Sequence, residues 1–341
     1  MTRVRSAAVF GAFLLAAGMA GLAADARGPQ AQPRREPAAA ASDLEVLQVR
    51  ENFYVIAGAG GHIAVQIGDD GVVVVDAGSA ARAEAVVAAI KRITPRPIRY
   101  VINTGADADH VSGNEIVAKA GQTLFTATGS IALPGDYIGG AASILAAEPV
   151  LLRMSAPTGQ TAPFPAGALP TETFDHPRKY MYLNGEGLEI LRQPSAHTDG
   201  DSVVFFRRSD VVVAGDILDT TRFPVIDVAR GGSINGEIAA LNRIVDLAIP
   251  SVPIVSREAG TVVIPGHGHL CDQLDVVEYR DMVTIVRDRV RDLMAAGMTL
   301  DQVKSASPAR GYTRRYGGEG TSWTTNDFVE AVFRSLEKEK R

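Results

Sequence analysis

The sequence predicts an α/β fold: two sheets packed face to face, with helices on the outside. Three observations carry that expectation. The chain opens on short apolar runs divided by glycine turns, then switches to a helical period. The same strands-then-helix order returns in the second half. With 341 residues, 46% of them hydrophobic and 21% charged, the chain can fill one large core or two small ones and is not globally disordered.

Taken in order, Leu44-Glu45-Val46-Leu47-Gln48-Val49 and Phe53-Tyr54-Val55-Ile56 read as strands. Gly58-Ala59-Gly60-Gly61 makes a flexible turn, and Ile63-Ala64-Val65-Gln66-Ile67 follows as a third strand. After the turn Asp69-Asp70-Gly71, the run Val72-Val73-Val74-Val75 is a buried strand that ends at Asp76-Ala77-Gly78. Residues 81–93 change period, with Val86, Ala89, Ile90 and Ile93 on one helical face and Pro95 as the stop. Ile98-Arg99-Tyr100-Val101-Ile102-Asn103 is the next strand, residues 115–120 a short helix, and Leu124-Phe125 a further strand. Residues 129–177 are rich in Gly, Pro and Ala, with helical patches over 141–153 and extended loop over 163–170. Strands return at 180–182, 188–191, 203–206 and 211–213, and a helix is expected over Ile234–Leu247. Val262-Val263-Ile264 is the last strand, followed by helices over 276–296 and 326–338.

The first residues read as an export signal. Arg3 and Arg5 precede an apolar stretch over 7–24, and Ala24-Asp25-Ala26 fits small-x-small cleavage. The expected organisation is a signal peptide at 1–26, a Pro/Ala-rich linker at 27–42, one domain at 43–275 and a helical extension at 276–341 packed on it. The alternative for the first segment is an uncleaved anchor, against which its Ala/Gly content argues. The expected location is periplasmic or secreted, with no membrane contact beyond the signal. The single cysteine, Cys271, allows no internal disulfide. A net charge of −5 without a basic block argues against nucleic acid and for a small-molecule substrate; oligomeric state is not legible.

Chemistry concentrates at strand ends. Thr104-Gly105-Ala106-Asp107-Ala108-Asp109-His110 follows one strand, where ligand sites of α/β proteins gather. Ser195-Ala196-His197-Thr198-Asp199-Gly200-Asp201 lies between two others, Ala214-Gly215-Asp216 ends a third and Pro265-Gly266-His267-Gly268-His269 a fourth. Imidazoles and carboxylates without thiolate suit zinc, manganese or iron. Three carboxylates around one pocket would repel one another without a cation.

In this order the segments resemble the metallo-β-lactamase superfamily, whose hallmark is a His-x-His-x-Asp-His loop, then a lone His, an Asp closing a strand and a final Gly-His. Val75-Asp76-Ala77-Gly78 matches the family's early Asp-x-Gly. The resemblance implies a four-layer αβ/βα sandwich, here with a helical C-terminal tail. It implies a second metal position on Asp109, His110 and His267, a bridging Asp216, and His197 on the first metal. The chain departs from the family at Gly105 and Asp107, which stand where two histidines are expected. Gly105 offers no ligand, and Asp107 is a third ligand of the first metal, a general base or an outer partner. The expectation is an exported hydrolase with one or two zinc ions (iron and manganese being the alternatives), Asp109 orienting the attacking water. Amide, lactone, (thio)ester and phosphoester substrates stay open, and β-lactam turnover is the one the altered loop puts in doubt. A non-catalytic or ligand-binding relative, and a mononuclear iron enzyme of oxygen chemistry, are the competing readings.

Other residues have quieter readings. His62 is a turn histidine or a substrate contact, and His269 a surface residue or a ligand beside His267. His176 reads as loop, Cys271 as a buried thiol and Trp323 as tail packing. Asp199 and Asp201 read as turn residues, with Thr198 and Asp76 behind the ligands.

Overall fold

The computed structural model describes residues 44–124, 140–252, 254, 260–317 and 322–339. The signal and linker expected over 1–42 lie outside these residues. Two sheets form. The first runs β1 (Glu45–Arg50), β2 (Phe53–Ala57), β3 (Ile63–Gly68), β4 (Gly71–Val75), β5 (Ile98–Ile102), β6 (Ser143–Ala147) and β7 (Glu172–Phe174), each beside its predecessor. Its pairs are antiparallel as far as β4 and parallel after it. The second has the order β12 (Val262–His267), β11 (Val211–Asp219), β10 (Asp201–Phe206), β9 (Glu186–Gln193), β8 (Arg178–Leu183), with β11 and β12 its parallel pair.

Side-chain alternation explains the layers. On β4, Val73 and Val75 join Phe53, Ile102 and Leu145 in an apolar cluster shared with Ile190, Val204, Phe206 and Ile264 of the second sheet. Val72 and Val74 point the other way, onto Val86 and Ile90 of α1 (Ala83–Ile93) and Val117 of α3 (Asn114–Lys119). The outer face of the second sheet, through Val203, Val212 and Ala214, is covered by α5 (Ile234–Leu247), α6 (Gln273–Ala295) and α9 (Thr325–Glu339). Three apolar interfaces make four layers, helix–sheet–sheet–helix. That is why β4 is apolar throughout while β8, at an edge, exposes Tyr180 and Tyr182.

The region around 141–153 differs from expectation. Ser143–Ala147 is β6, and the helix α4 (Glu148–Met154) begins only after it, with Pro149 in its first turn. Alanine has strong helix propensity, but Ser143, Ile144 and Leu145 pair with Tyr100, Val101 and Ile102, and pairing plus burial outweigh it. Leu124 is not in a strand, and Phe125 lies outside the described residues. The 129–177 segment contributes two strands, rather than loop and helix alone. Two short helices had no sequence counterpart: α7 (Leu300–Ala306), opened by a Thr299/Gln302 capping box, and α8 (Thr313–Tyr316). The long tail helix starts three residues earlier than its apolar period, where Asp272 and Asp275 form another capping box. No helix among the described residues is long and apolar enough to cross a membrane.

Candidate metal centre

The ends of β4, β5, β11 and β12 converge on one cavity. After β4 the backbone turns left-handed at Asp76 (φ 63°), which carries a buried carboxylate beneath the next loop. That carboxylate accepts hydrogen bonds from the Thr104 backbone N–H (2.8 Å), the Thr104 hydroxyl (2.7 Å) and His110 Nδ1 (2.8 Å). It fixes the orientation of the His110 ring, leaving Nε2 to face Asp216. His110 and Asp109 sit on the single-turn helix α2 (Ala108–Val111). The turn expected to be merely flexible is here a close contact: a Cβ on Gly61 would lie 2.4 Å from the His110 ring, and Gly61 N–H donates to the Asp109 carbonyl (3.0 Å).

Asp216 on β11 and His267 at the end of β12 complete the first group. His110 Nε2 is 3.2 Å from Asp216 Oδ1, and His267 Nε2 is 3.1 Å from Asp109 Oδ2 and 3.6 Å from Asp216 Oδ1. One ligand atom each from Asp109, His110 and His267 lies within 4.8 Å of the others. Asp107, His197 and Asp216 form a second such group beside it. Asp107 stands at the N-cap of α2 yet makes no cap bond; its Oδ2 meets His197 Nε2 at 2.7 Å instead. His197 Nδ1 is bonded to the Val225 carbonyl at 2.6 Å, and Arg230 Nη1 lies 3.6 Å from Asp107 Oδ1. Gly105 brings no donor, but a Cβ there would meet only Asp201 Oδ1 within van der Waals range, at 3.8 Å.

The electrostatics follow from crowding. Burial opposes charge on His110, but Asp216 and Asp76 hold its pKa well above the ordinary imidazole value. Burial likewise works against His197, which the Asp107 hydrogen bond and the charges of Asp201 and Asp216 push up to about 10. The hydrogen bond between Asp109 and His267 lowers the carboxyl and raises the imidazole, against partial burial of both. Asp216 is held well below the carboxylate range despite burial, by His110 first and then His197 and His267. The pocket therefore asks for positive charge. A divalent ion would meet that demand with this nitrogen and oxygen donor set, so the residues present fit a metal. Behind them, burial pushes Asp201 up to about 6 and Glu237 of α5 well above its usual range. Glu237 is fully buried, and neither of its carboxyl oxygens has a hydrogen-bond partner among the described residues.

The cavity holds about 270 Å³, and its lining includes Asp107, Asp109, His197, Asp216 and His267 together with Arg222, Val225, Ser322 and Trp323. Trp323, expected as packing, does both jobs: it rests on the α5–α6–α9 core and faces the cavity. Arg222, locked to Asp219 at 2.6 Å, and Val225 had no sequence signal, because they arrive through a loop with no motif. His62 is not among the residues lining this cavity; its Nδ1 lies 2.9 Å from the Pro265 carbonyl and ties the hairpin turn to β12. Gly268, at φ 99°, turns the chain so that His269 is exposed near Cys271 and Asp275 and away from His267's group. There Asp275 serves the capping box of α6, and burial pushes the Cys271 thiol up to about 12, keeping it protonated. Asp201 accepts from both the backbone N–H and the hydroxyl of Thr198 (2.7 Å each), closing the His197 turn, while Asp199 is paired with Arg153. His176 is exposed.

Comparisons with known proteins bear on the family and the fold. The family model described as Metallo-beta-lactamase superfamily matches residues 57–267. A metallo-beta-lactamase from Pontibacter korlensis superposes with a TM-score of 0.51 at 18% identity, covering 71% of this chain and 99% of that one. A stereoselective inverting sec-alkylsulfatase from Pseudomonas sp. superposes with a TM-score of 0.56 at 16% identity, covering 85% of this chain and 50% of that one. A double mutant of a sec-alkyl sulfatase gives 0.60 at 16% identity, covering 86% and 50%. The chain thus spans about half the length of the alkylsulfatases. No curated protein matches it.

Proposed function

The chain belongs to the metallo-beta-lactamase superfamily, and from that premise we propose that it is an exported metal-dependent hydrolase of a small ester-, thioester-, lactone-, amide- or phosphoester-type substrate. The observation that carries the proposal is the convergence of Asp109 and His110 from α2 with His267 from the end of β12, and Asp216 of β11 beside them. These residues would hold the metal. A divalent ion there supplies Lewis acidity and makes water a competent nucleophile near neutral pH.

The remaining work falls to the chain. Asp109 is half exposed to the cavity and held ionised by His267, so its carboxylate can orient the attacking water and accept its proton. Asp76 locks His110, keeping Nε2 aimed inward. Val225 and Trp323 add apolar surface to the cavity lining, which suits a substrate whose scissile group is flanked by a hydrocarbon or ring. The Arg3/Arg5 start, apolar stretch and Ala24-Asp25-Ala26 site support export.

One observation favours a second reading. Two imidazoles and one carboxylate is also the set that non-haem iron uses for oxygen chemistry, so the identity of the native metal separates the two. The test is a panel of chromogenic esters, lactones, thioesters and phosphoesters, assayed before chelation, after it, and after zinc is returned. Hydrolysis that vanishes and recovers is expected, together with loss of both metal and activity in Asp109→Ala and His267→Ala. Either variant remaining fully metallated and active would sink the assignment.

A further inference from the structure

We propose that the substrate carries a long uncharged hydrocarbon tail, which leaves the metal cavity past Val225 and Trp323 and lies in a second groove against α9. The inference rests on the metal-hydrolase reading above and deepens it, by adding a site for a part of the substrate that the metal cavity does not hold. The groove measures about 330 Å³, and its apolar lining is Val225, Ile226, Val228, Trp323 and Ala331. Two of these, Val225 and Trp323, also line the metal cavity, so the two spaces share a margin. A chain anchored at the metal by its reactive group therefore meets further apolar surface where the first cavity gives out.

Hydrogen bonds hold the residues of this margin in place. The Val225 carbonyl is bonded to His197 Nδ1 at 2.6 Å, and the Asp227 N–H donates to the His197 carbonyl at 3.0 Å. The loop that brings Val225, Ile226 and Val228 is thus pinned to the turn that carries His197. Trp323 stands just before a capping box: the Thr324 N–H donates to Asp327 Oδ2 at 2.7 Å, and the Asp327 N–H to Thr324 Oγ1 at 3.3 Å. Its ring rests on the apolar cluster that contains Phe328 and Leu336. Charge then decides the kind of occupant. The acids of the groove already serve the protein: Asp227 pairs with Arg230, Asp327 makes the cap, and Glu330 pairs with Lys304 at 2.5 Å and Arg334 at 3.5 Å. An uncharged chain covers the apolar side chains and leaves those pairs intact. A carboxylate at its far end would lie among three acids, and an ammonium would have to compete with Arg230, Lys304 and Arg334 for them.

The experiment reads the fluorescence of Trp323, the chain's single tryptophan, in the full chain loaded with zinc. Terminally brominated 1-alkanols, from propanol to undecanol, are titrated in, and quenching by the heavy atom gives a dissociation constant for each. Affinity is expected to rise about two- to fourfold per added methylene and to level off once the groove is full. Val228→Glu, at a position that lines the groove and not the metal cavity, should flatten that rise, with folding checked by circular dichroism. Two series of chromogenic esters, lengthened on the acyl side in one and on the leaving-group side in the other, carry the test into turnover. In one series kcat/KM should climb through a falling KM, and Val228→Glu should lower the long-to-short ratio, where a merely structural loss would lower both alike. A terminal carboxylate on the longest ester should cost about tenfold, which tests the point on the parent if Val228→Glu does not fold. Quenching independent of chain length, or a carboxylate-ended ester as good as the neutral one, would overturn this inference while short-ester hydrolysis keeps the metal reading intact. Chain-dependent binding without metal-dependent hydrolysis of any ester would instead overturn the hydrolase reading and leave the groove as a binding site.

Discussion

Asp76 shows how much one residue can carry without touching the cavity. Its carboxylate holds two groups of Thr104 and the far nitrogen of His110, all buried, on a backbone at φ 63° that asparagine and aspartate tolerate better than other side chains. Asp76→Ala would leave three donors unpaired and strain the turn. We expect a loss of about 2–4 kcal/mol by urea denaturation, and metal affinity weaker by about 10–100-fold in chelator competition. Asp76→Asn keeps the left-handed turn and one acceptor, so it should recover most of the stability while leaving affinity low. If both variants bind metal as tightly as the parent, Asp76 does not position His110.

At the scale of elements, α5 is the informative one. It starts at a Ser233 cap, tied to the loop that carries His197 through the Ser195 carbonyl, and buries Ile234, Ile238, Leu241 and Ile244 on the second sheet. In the same buried stripe sits Glu237 with neither oxygen paired and its pKa raised by burial, then by the charge of Asp201. The sign of its effect follows. The unfolded chain releases this proton near the ordinary value while the folded chain keeps it, so stability falls as pH rises through the unfolded pKa and levels off only above the folded one. Glu237→Met removes both the pH-linked loss and the unpaired group. It should stabilise the protein by about 1–3 kcal/mol at pH 8 and by less at pH 4. A gain that does not grow with pH would mean that Glu237 is charged or paired in the fold. Legibility also divides by element. The ligand loop at 105–110 could be read because its donors are adjacent in sequence, and α5 because its apolar period is clean. The strand β6 could not, because Ser-Ile-Leu-Ala-Ala is compatible with helix until β5 and β7 flank it.

For the molecule as a whole, the described residues between 44 and 339 form one compact unit, and the layers share their cores. Phe328 of α9 is fully buried and stacks on Phe223, 4.7 Å between ring centres, in the cluster that also underlies the cavity wall at Trp323. Phe328→Ala should therefore cost about 3–5 kcal/mol. Because Trp323 is the chain's single tryptophan, its fluorescence reports on the cavity wall while far-UV circular dichroism reports on the sheets. The two signals should shift together in urea for both parent and variant. A fluorescence transition that moves alone would show that the C-terminal helices unfold independently of the sandwich.

The sequence by itself determined most of the strands and the long helices, though not β6, α7 or α8, and also the strand ends where imidazoles and carboxylates gather and the break at Gly105 and Asp107. Each of these depends on neighbours in the chain, where period and spacing are visible. Only the tertiary structure decided that Asp107 bonds to His197, that Arg230 backs it, that Gly61 lies against the His110 ring, and that Trp323 and Val225 wall the cavity. Those pairs are separated by tens to hundreds of positions, and their energies arise from burial and hydrogen bonds that exist only once the two sheets have closed on each other.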